Sequence, residues 1–201
     1  MVRLSYRAAL RNIRKVYALA TPEEITAGLA WYDEAHHHAC TLSSTYGIPL
    51  GASADIIAAL SPNSKWQRNV ADAYSLCAVL HAGGSYETVR VQTYGANRKK
   101  AAAIFSAAKL GAAYQHFLSG PKVTRFARTI EAPWESHGIT VDVHAFSVAS
   151  GVRFTTKDVV IGAVNYRTCE RAYLTVGAEL GIAGHQIQAI TWVVWKRLHK
   201  V

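Results

Sequence analysis

Two segments of the chain place an ionisable side chain directly after a break and before a helix-forming stretch. Lys122 follows the tight break Ser119-Gly120-Pro121, and Asp142 follows the β-branched triplet Ile139-Thr140-Val141. A carboxylate can stabilise developing positive charge or activate a nucleophile. An amine that has lost its proton can attack an electrophilic carbon and form a Schiff base. Lys122 and Asp142 are therefore of residue types that can serve as a nucleophile and as a catalytic carboxylate, respectively.

Both residues also have a purely structural interpretation. Asp142 directly precedes the helical stretch that starts at Val143, where an aspartate serves as a helix cap and an asparagine would serve nearly as well. Lys122 stands in the first turn of the next helix, where a lysine either contacts a phosphate or simply faces solvent. The sequence leaves these alternatives open.

The elements that must position these residues are helices. Apolar residues recur at helical spacing along most of the chain, and the short segment 139–141 is too isolated to build a sheet. The sequence therefore predicts an all-α protein, folded as a single helical domain over residues 1–201. The predicted helices cover residues 2–19, 22–38, 53–60, 65–80, 86–92, 98–110, 112–118, 122–130, 143–149, 165–180 and 185–199. In addition, Thr156-Lys157-Asp158 can cap a short helix.

Composition narrows the class of protein. The chain has 201 residues, of which 50% are hydrophobic and 17% charged, so it can build a real core and global disorder is not expected. Its formal net charge is +9 and its pI is about 9.6. Such a charge favours a polyanionic partner, of which nucleic acid is the commonest. The alternative is a solvated positive face without such a partner.

Metal and disulfide sites are not expected. Cys40, Cys77 and Cys169 are far apart and include no C-x-x-C pair, which argues against a cysteine-built zinc or iron-sulfur site and against a disulfide framework. Consecutive residues of the run 36–38 point in different directions on a helix, so three histidines in a row cannot all reach one ion, whereas Asp33 with His36 or with His37 could. No signal peptide or membrane span is predicted, and we expect a cytoplasmic protein.

Several short motifs occur in a particular order. They are Leu60-Ser61, then Gly95 with Lys100-Ala101 and Ile104, then Leu118, Gly120 and Lys122, and finally Val141-Asp142-Val143-His144. In this order and spacing, residues 50–150 resemble the helix-hairpin-helix DNA glycosylase superfamily, the group that includes endonuclease III. The chain departs from the family pattern in the hairpin, which has one glycine where the family usually has two, and in lacking the cysteine cluster of some members.

The resemblance implies a two-lobed helical glycosylase-like fold with its helix-hairpin-helix motif at about 112–130. It implies that Asp142 is the catalytic carboxylate and that Lys122 is the nucleophile of an additional lyase activity. The hairpin would bind DNA phosphates through Gly120, Lys122 and Arg125. The loop that precedes the helix at 65–80 would enter the duplex beside an extruded base, through the residues Asn63, Lys65 and Trp66.

Three functional hypotheses follow from this resemblance. The first is a monomeric DNA glycosylase with no metal, no iron-sulfur cluster and no membrane partner, at work in a bacterial cell or a phage-infected host. The second is a phage-type enzyme that modifies the extruded base, similar to the alpha-glutamyl/putrescinyl thymine pyrophosphorylase family. The third is a DNA-binding module without catalysis. For Trp66, core packing is the alternative to stacking on a base.

Overall fold

A computed structural model describes residues 3–135 and 138–200, and within these residues the protein is all-helical with no strand. The prediction of an all-α protein is therefore confirmed. The helices are α1 (Tyr6–Tyr17), α2 (Pro22–Tyr46), α3 (Leu50–Leu60), α4 (Trp66–His81), α5 (Gly95–Lys109), α6 (Pro121–Glu131), α7 (Val143–Ser150), α8 (Ala163–Leu180) and α9 (Gly184–His199). Single 3-10 turns lie at Tyr86–Thr88, Gln115–Phe117 and Pro133–Glu135. Val2, where the first helix was expected to begin, lies outside the described residues.

The chain divides into two compact units. The first unit comprises Met1–Tyr32 and Trp134–Val201, and the second unit comprises Asp33–Pro133. Helix α2 begins in the first unit and ends in the second. Helix α2 therefore contributes residues to both units.

Helix α3 forms the centre of the second unit. Every residue from Gly51 to Leu60 is buried, because the helix is apolar on nearly all sides and packs against α4, α5 and α6. A helix of this kind cannot face water on any side. The surface of the second unit is consequently made by the helices and loops around α3.

The core of the first unit lies between α1, α7, α8 and α9. Helix α1 is amphipathic, burying Ala9, Ile13 and Val16, and Arg14 on its other face pairs with Glu179 of α8 at 2.6 Å. Packing on an apolar face fixes the position of α1, since an exposed ion pair adds little stability.

The start of α2 is the clearest confirmed boundary. The Oγ1 of Thr21 accepts a hydrogen bond from the backbone N–H of Glu24 at 3.3 Å, and the Glu24 carboxylate accepts one from the N–H of Thr21 at 3.0 Å. This reciprocal pair satisfies two N–H groups that a helix start leaves unpaired. The helix then continues to Tyr46, past the predicted end at His38, until Gly47 adopts φ +59° and closes it.

Three predicted helices are wrong. Residues 112–118, expected as the first helix of a hairpin, contain only the 3-10 turn Gln115–Phe117, because Gly111 at φ +67° ends α5 and too few residues remain to propagate a new helix. Residues 86–92 are helical only over Tyr86–Thr88. No short helix follows the expected cap at 156–158: these residues form a turn, in which Asp158 accepts a hydrogen bond from the N–H of Thr155 at 2.6 Å, and the next helix is α8.

None of the helices in residues 3–135 and 138–200 is both long and apolar enough to cross a bilayer.

Candidate nucleic-acid interface

Gly120 and Lys122 form an exposed helix start in the second unit. Gly120 has φ +86° and ψ +141°, a conformation that residues with a Cβ rarely adopt, and Pro121 then occupies the first position of α6. Lys122 is exposed and has no ion pair or hydrogen bond with any residue that the structure describes. Because the N–H groups of the first turn have no acceptor within the helix, they and the ammonium group of Lys122 are available to an anion.

Trp66, at the start of α4, packs within the second unit. Its ring meets that of Phe126 on α6 at a centroid distance of 6.4 Å and that of His38 on α2 at 6.2 Å. These contacts are what the core-packing interpretation of Trp66 predicts. They also bring the loop before α4 beside the helix that carries Lys122 and Arg125.

The loop 61–65 is held by side chains from the segment before α5. Asn63 has φ +57°, which is unusual for a residue other than glycine, and its amide donates a hydrogen bond to the hydroxyl of Tyr94. The Oε1 of Gln92 accepts hydrogen bonds from the Ser64 hydroxyl at 3.1 Å and from the N–H of Lys65 at 2.9 Å. The loop is thus a fixed surface that presents Asn63 and Lys65 to solvent.

Tyr94 is a surface residue that the sequence analysis missed. It is 62% exposed, immediately precedes α5 and makes no side-chain cap for it. Gly95 is open, with no atom within 4 Å of where a Cβ would lie. An exposed aromatic ring beside a helix start can stack on a base while the backbone N–H groups face a phosphate. The signal in the sequence was an aromatic residue directly before a helix-starting glycine.

Asp142 lies in the first unit, at the N-terminal cap of α7. Its Oδ1 accepts a hydrogen bond from the backbone N–H of Ala145 at 2.7 Å. Its Oδ2 has no hydrogen bond to any of the described residues. The Oδ1 oxygen therefore has a structural role as the cap of α7.

A buried tyrosine fixes the segment that presents Asp142. The Tyr166 hydroxyl donates to the carbonyl oxygen of Ile139 at 3.1 Å and accepts from the N–H of Val141 at 3.4 Å. Burial raises the pKa of Tyr173, also in this core, well above its usual value, and the negative charge of Asp142 acts in the same direction. The carboxylate thus sits at the edge of a core that contains neutral hydroxyl groups.

The predicted site residues are divided between the two units. Those expected to bind DNA lie in the second unit and Asp142 lies in the first. The DNA-binding candidates are Asn63, Lys65, Trp66, Gly120, Lys122 and Arg125. Within the second unit, the Trp66–Phe126 contact places the candidates of the loop before α4 beside those at the start of α6.

Asp55 is a second carboxyl group that the sequence analysis did not single out. It lies in the middle of α3, is 1% exposed, and neither of its oxygens accepts a hydrogen bond from a described residue. Burial raises its pKa to about 6; the positive charge of Arg128 opposes this shift, and the negative charge of Glu131 adds to it. A lone aspartate in an otherwise apolar helix was the signal in the sequence.

Among the described residues, no three His, Cys, Asp or Glu side chains lie close enough together to hold a metal ion, and this includes the histidines 36–38. His38 contacts Tyr74, with 3.4 Å between its Nδ1 and the Tyr74 hydroxyl oxygen, and burial lowers the pKa of His38. His36 instead contacts Cys40 and the backbone of α6.

The fold and this surface define an all-helical, basic protein in two compact units. The chain belongs to the DUF7178 family, a family of unknown function, whose model matches residues 2–199. Comparison with curated proteins and with solved structures finds no match to this chain.

Proposed function

We propose that this protein binds DNA through the second unit and acts as a DNA glycosylase. The observation that carries the proposal is the start of α6, where Gly120 at φ +86° leads into a helix whose first turn exposes Lys122 without an ion pair among the described residues. A backbone that approaches closely, free N–H groups and an unpaired ammonium group together suit a phosphate.

The surroundings of this helix start support DNA as the ligand. The loop 61–65 lies beside α6 and exposes Asn63 and Lys65. The amide of Asn63 donates a hydrogen bond to the hydroxyl of Tyr94. Phosphate contacts position a protein on DNA, whereas amide and aromatic groups contact bases. The formal net charge of +9 supplies the attraction at longer range.

The proposed reaction breaks the bond between a base and its sugar. Positive charge develops on the sugar as the bond breaks, and the Asp142 carboxylate, with its Oδ2 unpaired among the described residues, would stabilise that charge or activate the attacking group. Water as the nucleophile leaves an abasic site. Lys122 as the nucleophile displaces the base and forms a Schiff base at the sugar carbon, from which the strand is cleaved by elimination.

One observation favours a second function, DNA binding without catalysis. The Oδ1 of Asp142 already caps α7, which is a sufficient structural reason for an acid at this position. In that case only the α6 surface would act on DNA.

The test is borohydride trapping on oligonucleotides that carry altered bases, with the variants Lys122→Gln and Asp142→Asn. Lys99→Gln serves as the control, because Lys99 is another exposed lysine of the second unit. A covalent adduct that Lys122→Gln abolishes and Lys99→Gln retains supports a glycosylase with lyase activity. Alkali-labile sites without an adduct, lost in Asp142→Asn, support a glycosylase without it.

Other outcomes contradict the proposed reaction. Intact bases with neither adduct nor alkali-labile sites rule out base excision on those substrates. Bases that are retained but altered in mass support the hypermodification hypothesis instead. DNA binding that is salt-sensitive and indifferent to Asp142→Asn, without any reaction, supports the non-catalytic module.

A further inference from the structure

Cys40 and His36 form a thiol–imidazole pair on α2 in the second unit. Residues four apart lie on the same face of a helix, and here the Sγ of Cys40 is 3.3 Å from the Nε2 of His36. Neither Asp142 nor any of the residues proposed to bind DNA belongs to this pair.

The backbone of α6 fixes the orientation of the His36 ring. The Nδ1 of His36 lies 2.9 Å from the carbonyl oxygen of Ile130. A carbonyl oxygen only accepts hydrogen bonds, so Nδ1 carries the proton in this contact. In the neutral ring, Nε2 then holds the lone pair and receives the hydrogen bond from the thiol of Cys40. His36 is thus oriented as a base toward the sulfur.

The other two cysteines differ from Cys40 in solvent exposure. Cys77 and Cys169 are fully buried, and burial raises the pKa of Cys77 to about 12 and that of Cys169 still further. Cys40 is partly exposed. Because the thiolate is the reactive form and must be reached from solvent, the structure favours reaction at Cys40 alone.

We propose that Cys40 is a site of oxidation by hydroperoxides, with His36 as its base. The thiol proton moves to Nε2, and the sulfur attacks one oxygen of hydrogen peroxide. The S–O bond forms as the O–O bond breaks, and the leaving hydroxide takes the proton from the imidazolium to give water. The products are a sulfenic acid at Cys40, one water molecule and neutral His36.

The test is hydrogen peroxide treatment at pH 7 with dimedone to trap the sulfenic acid, and peptide mass spectrometry to locate it. His36→Asn keeps an N–H donor for the Ile130 carbonyl but removes the base at Nε2. His37→Asn makes the same change at the adjacent exposed position and is the control. We expect the adduct at Cys40, absent in Cys40→Ser, and not at Cys77 or Cys169.

The variants decide the role of His36. Without His36 no neighbouring base takes the thiol proton as the sulfur attacks, so trapping should slow by about tenfold in His36→Asn and stay unchanged in His37→Asn. Circular dichroism and thermal unfolding confirm that each variant is folded. Equal rates in His36→Asn and wild type, trapping that favours a buried cysteine, or no adduct at Cys40 would overturn the proposal.

Discussion

Trp66 and Phe126 meet edge to face, with their ring centroids 6.4 Å apart and their planes inclined by 76°. One residue begins α4 and the other lies in the middle of α6. The contact therefore ties the loop 61–65 to the helix whose first turn carries Lys122. The packing of Trp66 therefore holds together the two parts of the surface that is proposed to bind DNA.

Replacing Trp66 tests this relationship. We expect Trp66→Ala to lower the free energy of unfolding by about 2 kcal/mol, below the value for a fully buried tryptophan because the ring is partly exposed. Trp66→Phe keeps an aromatic contact with Phe126 and should lose less than half as much. Chemical denaturation measures both, and equal stability of Trp66→Ala and wild type would show that the ring adds no packing energy.

The two functions assigned to Asp142 separate in two substitutions. Asp142→Ala removes the cap of α7 and should cost about 1 kcal/mol of stability, whereas Asp142→Asn keeps an oxygen for the N–H of Ala145 and should cost little. Base excision requires the charge, so both variants should lose it. Activity retained in Asp142→Asn would leave the residue with its capping role alone.

The backbone conformation of Gly120 predicts that a side chain at this position would strain the backbone without causing a steric clash. A Cβ at Gly120 or at Gly162 meets no atom within 4 Å, but Gly120 has φ +86° and Gly162 has φ −71°. Gly120→Ala should lower the free energy of unfolding by about 1–2 kcal/mol, and Gly162→Ala should not lower it by a comparable amount. Thermal unfolding of the two variants side by side measures the difference, and equal effects would contradict a special role of the turn.

The buried carboxyl group of Asp55 makes stability depend on pH. Its pKa is raised to about 6 in the folded protein from about 3.8 in the unfolded chain, so the folded state favours the protonated form. The contribution of protonated Asp55 to the free energy of unfolding is therefore complete below the pKa of the unfolded chain. It is lost as the pH rises from about 4 through 6. A shift of about two pKa units corresponds to about 3 kcal/mol.

Asp55→Asn should remove this pH dependence, and it should leave the charges of Arg128 and Glu131 beside it in place. We expect the stability of the variant relative to wild type to rise between pH 4 and pH 7. Denaturation curves at several pH values test this expectation. Parallel pH profiles of the variant and wild type would show that Asp55 has an ordinary pKa in the folded protein.

Local signals in the sequence predicted the positions of most helices. Thr21-Pro22 and Asp142 mark helix starts because their roles are local, and both were found at those starts. The predicted helix at 112–118 was wrong because its apolar residues fit a helical pattern, whereas Gly111 and the short length of the segment prevent a helix. The pairing of Asn63 with Tyr94 joins residues 31 positions apart and had no local signal.

The sequence also could not predict the environment of single side chains. Burial of Asp55 on every side follows from the helices around α3, and the orientation of His36 follows from a carbonyl on α6. Both depend on packing between elements distant in the chain. Lys122, in contrast, was placed at a helix start by the proline before it, and the structure has it there.

The most direct test of DNA binding through the start of α6 is the salt dependence of binding to a duplex, measured by fluorescence anisotropy. Wild type is compared with Lys122→Gln and with Lys157→Gln, which removes an exposed lysine from the first unit. If Lys122 contacts a phosphate, its loss should weaken binding to all sequences and reduce the slope of log K against log salt by about 1, with Lys157→Gln unchanged. The same slope in Lys122→Gln as in wild type, or an equal change in both variants, would contradict it.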